Sequence, residues 1–240
     1  CGPGTAPRPR KQPANPNLEA DDMSWSEILT TASSLMQGLG VVVLLFFVVL
    51  AASMPLGFLL TLCTRSRFKP LCWVVNAYIY VMRGTPLMLQ LFFIYFGLPL
   101  LGEPFRTLFF DAITCALVGF TLNYAAYFAE IFRGGLLSID AGQYEACKVL
   151  GLNRWQTTTR VILPQMVRVA LPSITNESIT LIKDTSLVFS IAIPEILHYA
   201  KVAVSRTGSI MPYAIAFVIY LALNTVLQIF FNWLEKRLAY

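Results

Sequence analysis

The sequence predicts an all-α polytopic membrane helical bundle with about five transmembrane helices, each a run of roughly 20 apolar residues. Three observations predict it. Only 13% of the 240 residues are charged, against roughly 25% in soluble domains. Mean hydropathy is +0.64. Several uncharged stretches are long enough to cross a hydrocarbon core.

The spans follow in order. Val41 to Leu62 carries no charge and is the first. Leu71 to Met82 and Leu87 to Leu101 are separated by Arg83-Gly84-Thr85-Pro86, where a charge followed by Gly and Pro breaks a helix. The first of these is expected to be interfacial or the first half of a broken span. Ala112 to Phe132 is the third span, Val169 to Pro194 the fourth and Met211 to Leu234 the fifth. No internal repeat of the kind found in many secondary transporters is evident.

Residues 1–37 are expected to be a disordered or linker tail, and residues 38–240 the transmembrane domain. Cys1 to Asp22 is rich in Pro, Gly, Asn and charge and has no apolar period. Met23 is a candidate start, which would make the preceding stretch a scar or misread start. The stretch could also tether an upstream domain.

Charge placement orients the chain. Arg65, Arg67 and Lys69, then Arg83, then Arg133, Lys148, Arg154, Arg160 and Arg168, and finally Lys236 and Arg237 fall on one side. The positive-inside rule makes that side cytoplasmic, with the N-terminus outside. Arg8, Arg10 and Lys11 are discordant, but they lie beyond about 15 residues from the first span, where the rule weakens. The net charge of +5 is therefore a topology signal and not a nucleic-acid footprint. Cys1, Cys63, Cys72, Cys115 and Cys147 form no CxxC pair, and His198 is the sole histidine. No metal site is expected, and the cysteines read as small packing residues.

The segment 134–165 is too long for a simple connection. Gln143 to Leu150 reads as a short helix ended by Gly151. Arg154 to Ile162 reads as a second helix stopped by Pro164. A small helix at the membrane surface suits a partner's groove.

Span four holds Asn176, Glu177, Thr180, Lys183 and Asp184. Asn176, Thr180 and Lys183 share one helical stripe, and Glu177, Thr180 and Asp184 an adjoining one. Three such charges facing lipid would cost roughly 8–10 kcal/mol, so this face turns to a cavity or a neighbouring subunit. One reading is a substrate path in which Lys183 meets a carboxylate and Glu177 or Asp184 an ammonium. The other is a structural ion-pair network or polar interface. Span three carries a second polar stripe, Asn123, Tyr127 and Glu130. Glu130 reads as an ion pair with Arg133, whereas Asn123 stays open. Arg83 reads as an anchor or structural donor, and Ala125, Ala126 and Ala129 as close-packing residues.

Glu145-Ala146-Cys147, three residues, Gly151, nine residues, Val161, one residue and Leu163-Pro164 resemble the EAA loop of ABC importer permeases. Cys147 stands where the pattern has Ala, and Val161 where it has Ile. Arg83-Gly84-Thr85-Pro86-Leu87, Gln90 to Gly97, Ala126 to Glu130 with Arg133-Gly134-Gly135, Gly142 to Ala146, and Ile182 to Leu187 are similar to polar amino acid permeases. The resemblance runs from about Leu39 to the C-terminus. It implies a type I ABC importer (MetI-like) permease fold in a bacterial cytoplasmic membrane. Glu145, Ala146, Cys147, Gly151, Leu163 and Pro164 would couple to an ABC ATPase. It also implies a second permease copy or a paralogous permease, an extracellular amino-acid-binding protein and a polar amino acid substrate. It supports importance for Lys183, Asp184, Thr185 and Ser186 without assigning a contact.

No G-x-x-x-x-G-K-[ST] phosphate loop, H-E-x-x-H or G-x-S-x-G elbow occurs. The chain is therefore expected to bind no cofactor and to be no enzyme, with ATP and Mg on the partner. An ion-coupled secondary amino-acid transporter is the rival, with the charges of span four as a relay. A non-transporting membrane receptor is a second rival.

Overall fold

The computed structural model describes residues 24–108 and 111–238, and among these every regular element is helical. Chain order is α1 (Trp25–Met36), α2 (Leu39–Thr64), α3 (Lys69–Gly84), α4 (Leu87–Phe92), α5 (Phe105–Leu108) and α6 (Ala112–Leu137). Then come α7 (Ala141–Val149), α8 (Arg154–Gln156), α9 (Leu163–Asp184), α10 (Ile196–Thr207) and α11 (Met211–Leu238). Three helices are long and apolar enough to cross a membrane, and five spans result if each of two bent pairs counts as one.

Helices α2 and α6 form the tightest pair. A Cβ on Gly57 would stand 2.7 Å from Phe128 Cβ and 2.9 Å from the Ala125 carbonyl, so only hydrogen fits there. Thr61 Oγ1 crosses the same seam to the Ala129 carbonyl at 2.8 Å. Small residues let the backbones approach, and dispersion holds the two helices together, because lipid competes for the hydrophobic term. Around this seam Phe46, Phe120, Phe128, Ile174 and Leu181 build the core. Phe217, Leu221, Val226, Ile229 and Phe230 of α11 stay exposed, as a lipid-facing surface requires.

Several sequence expectations change. Residues 25–36, assigned to the tail, are helical, opened by a capping box in which Ser24 and Glu27 bond each other's backbone. Residues 1–23, the rest of that tail, lie outside the described residues. Residues 69–84 are a continuous helix whose Val75 and Ile79 bury against Ala126 and Ala129. It forms one half of a pair bent by 108° with 87–101, in keeping with the broken-span alternative for this segment.

Pro164 does not stop its helix. The chain runs from α8 through a π-helical turn, Thr157–Ile162, into α9, with Pro164 in the first turn of α9. The widened turn accommodates a ring that cannot donate to the preceding turn. Span four consequently starts earlier than expected, its α-helix ends at Asp184, and a 3-10 segment carries it to Ile191.

Candidate functional site

The break between α3 and α4 begins as a proline effect. Thr85 and Pro86 are extended, because a residue before proline is driven out of the helical region. Breaking a helix in a membrane leaves carbonyls that need donors. Gln90 Nε2 supplies Met82 O at 2.9 Å, Thr85 O at 3.2 Å and Thr85 Oγ1 at 2.8 Å. Asn123 Nδ2 donates to Met82 O and to Gln90 Oε1, both at 3.0 Å. The buried Asn123 thus pins the break to α6.

A groove of about 530 Å³ opens beside this break. Arg83, Gly84, Thr85, Pro86, Asn123, Tyr124, Tyr127, Glu177, Thr180 and Asp184 line it. A second groove, of about 570 Å³, shares Arg83, Tyr127 and Glu177 and adds Glu130, Gly134, Gly135 and Ser173. The Glu177–Thr180–Asp184 stripe and the Asn123–Tyr127–Glu130 stripe therefore meet on one surface, between α6 and α9.

Its charges are unevenly paired. Arg133 forks onto Glu130, with Nη2 to Oε2 at 2.6 Å and Nε to Oε1 at 3.0 Å. Arg83 Nη1 stands 3.6 Å from the same Oε2 and places its guanidinium 5.3 Å from the Tyr127 ring centre. Asp184 Oδ2 accepts from the Tyr124 hydroxyl at 2.8 Å. Glu177 makes no hydrogen bond or short ion pair among the described residues.

Other nominated residues sit elsewhere. Lys183 and Asn176 are exposed and do not line the groove. Thr185 and Ser186 donate to the carbonyls of Ile182 and Lys183, at 2.7 and 2.8 Å, so their hydroxyls serve the 3-10 turn.

Sequence reasoning missed Tyr124 and Glu195. Glu195 is fully buried and takes N–H groups from Leu197 and His198 at 2.7 and 2.9 Å. It also takes the Tyr220 hydroxyl at 2.8 Å. Glu195 lies just past the expected end of span four at Pro194, where it caps α10. A lone acid between apolar runs was the available signal.

The second candidate surface is the loop between α6 and α9. Asp140 Oδ1 caps α7 by accepting Gly142 N–H at 2.7 Å. At the other end Gly151 N–H reaches Lys148 O and Leu152 N–H reaches Cys147 O, both at 3.0 Å. With φ +72° at Gly151, this is a Schellman motif. A Cβ there would meet nothing within 4 Å, so the glycine answers to backbone conformation and not to crowding in this chain.

Cys147 faces inward and is buried, whereas Glu145 and Ala146 are exposed. Gln165 ties the start of α9 to Gln143 of α7 at 3.0 Å. Leu163 is half-buried and Pro164 exposed. Val149, Leu150 and Trp155 are 88, 76 and 76% exposed, an apolar set at the turn beside the motif residues.

Residues 53–240 match the family described as binding-protein-dependent transport system inner membrane component. The chain is similar to the arginine transport system permease protein ArtQ of Bacillus subtilis, 35% identical over 90% of this chain and 98% of that protein. It is also similar to the octopine transport system permease protein OccM of Rhizobium radiobacter, 39% identical over 87% of each. A solved amino acid ABC transporter superposes with a TM-score of 0.81 at 29% identity, over 90% of this chain and 99% of that one.

Proposed function

The chain belongs to the binding-protein-dependent transport system inner membrane components, as a permease of an amino acid ABC importer, and from that premise we propose how it couples and what it carries. The 134–165 loop is the docking element for a separate ABC ATPase. One observation carries this reading: α7 ends in a glycine-closed turn that leaves Val149, Leu150 and Trp155 uncovered. Apolar side chains this exposed on a rigid loop suit a partner's groove. ATP binding on that partner would shift the permease between two states by differential affinity. The N-terminus faces outside, where an amino-acid-binding protein delivers the substrate, and the permease pairs with a second copy or a paralogue.

The groove between α6 and α9 is the substrate path for a polar amino acid. Arg83 takes the part first given to Lys183, offering a guanidinium to the substrate carboxylate. Glu177 and Asp184 face the ammonium. Because Arg83 is shared with Glu130 while Glu177 is unpaired, a side chain that carries positive charge balances the groove best.

Co-expression with candidate ATPase subunits, extraction in mild detergent and weighing of the complex tests the docking. The expected result is a retained ATPase that is lost on Gly151→Asp. A folded chain that holds no ATPase yet moves amino acid down an ion gradient would overturn the reading in favour of an ion-coupled secondary transporter.

A further inference from the structure

A cavity of about 300 Å³ between the start of α9 and the end of α11 belongs to neither surface above. Arg168 and Lys236 supply its cations, Leu171, Pro172 and Leu238 its apolar walls, and Glu235 its one acid. Glu235 Oε1 is already engaged by the Thr175 hydroxyl at 2.7 Å. The two cations still outnumber the one carboxylate, which leaves the lining with a net positive charge. Pro172 has no N–H to give the Arg168 carbonyl, so that helical bond is unmade at the cavity's own residue.

The position on α11 points to the occupant. Val226, Ile229 and Trp233 are exposed and recur at helical spacing, and Lys236 continues the same stripe three residues on. Trp233 is the residue type found where hydrocarbon meets headgroups, and the Arg237 guanidinium lies 5.2 Å from its ring centre. The stripe is apolar where acyl chains run and turns cationic where a phosphate sits. Basic pockets between helices at a membrane face are sites for anionic headgroups.

We propose that this cavity binds the headgroup of an anionic phospholipid, with Arg168 and Lys236 on the phosphate and the acyl chains along the Val226–Ile229–Trp233 stripe. The inference is independent of the substrate path and of ATPase docking.

The full chain, purified in mild detergent, is titrated with phosphatidylglycerol, phosphatidylcholine or inorganic phosphate. Thermal unfolding and native mass spectrometry are the readouts. Phosphatidylglycerol is expected to raise the unfolding temperature and to remain bound through gentle activation, while the other two do neither. Arg168→Gln with Lys236→Gln is expected to weaken that binding at least tenfold, and Arg168→Lys with Lys236→Arg to restore most of it. If the glutamine pair unfolds, the charge-conserving pair still decides, because it must bind phosphatidylglycerol and not phosphatidylcholine.

Three results overturn the proposal. Equal effects of the two lipids would remove the headgroup role. Inorganic phosphate reproducing the whole shift would leave a free-anion site. Loss of a second permease copy, and not of lipid, in the glutamine pair would make the cavity a subunit contact.

Discussion

The Tyr124 hydroxyl donates to Asp184 Oδ2 at 2.8 Å, joining the middle of α6 to the last residue of α9. That single bond spans the wall of the polar groove. It also fixes the point where α9 passes into its 3-10 extension. Tyr124→Phe removes the donor and leaves a carboxylate partly buried without it. The expected cost is about 1–3 kcal/mol, read as a lower unfolding temperature in detergent, with substrate uptake falling alongside. Asp184→Asn keeps an acceptor and should be milder. Equal stability of Tyr124→Phe and wild type would show the bond to be incidental.

Arg83 and Glu130 are joined across the α3–α6 contact, with the Tyr127 ring beside the guanidinium. Both side chains are partly exposed, so screening keeps the pair weak. A double-mutant cycle of Arg83→Gln and Glu130→Gln should give a coupling of about 0.5–1 kcal/mol. Arg83→Lys should lose transport beyond what stability explains, because an ammonium cannot stack and fork as a guanidinium does. Full uptake by Arg83→Lys would reduce the residue to a point charge.

Gly57 touches α6 so closely that Gly57→Ala must push the helices apart. Overpacking of this kind costs about 1–3 kcal/mol. The expected outcome is poor yield of folded protein after extraction, measured by size-exclusion profile. Gly40, beside open space, is the control: Gly40→Ala should behave as wild type.

Gly151 separates two roles by choice of substituent. Asn tolerates the left-handed conformation that φ +72° demands, whereas Val does not. Gly151→Asn should leave the unfolding temperature of the isolated chain within about 1 °C, since ΔΔG is small, yet weaken ATPase retention. Gly151→Val should lower both. A Gly151→Asn chain that is unstable on its own would assign the glycine to the fold and not to docking.

Gln90 holds the carbonyls freed at the α3–α4 break, and Asn123 holds Gln90. Gln90→Leu is expected to open the segment 83–86, seen as faster tryptic cleavage at Arg83 in detergent, with a stability loss of about 1–3 kcal/mol. Unaltered cleavage would mean that water or lipid headgroups replace the amide without loss.

The sequence by itself determined the class, the approximate number of spans and the turn of the loop. Those depend on local terms: the transfer free energy of apolar runs, the φ that a glycine permits and the amide that a proline lacks. Asp140 and Gly151 bracket α7 because a cap and a left-handed turn are properties of neighbours in the chain. The Glu130–Arg133 pair, three residues apart on one helix, was legible in the same way, but tertiary structure alone decided which polar groups meet across helices. Lys183 and Asp184 are adjacent in sequence, yet Asp184 faces Tyr124 in the groove and Lys183 faces away. Arg83 finds Glu130, Asn123 finds Gln90, and Glu195 finds Tyr220 across spacings that no helical period encodes. The continuity of the helix past Pro164 was hidden for the same reason. Whether a proline ends a helix or widens it into a π turn depends on what the next turn packs against.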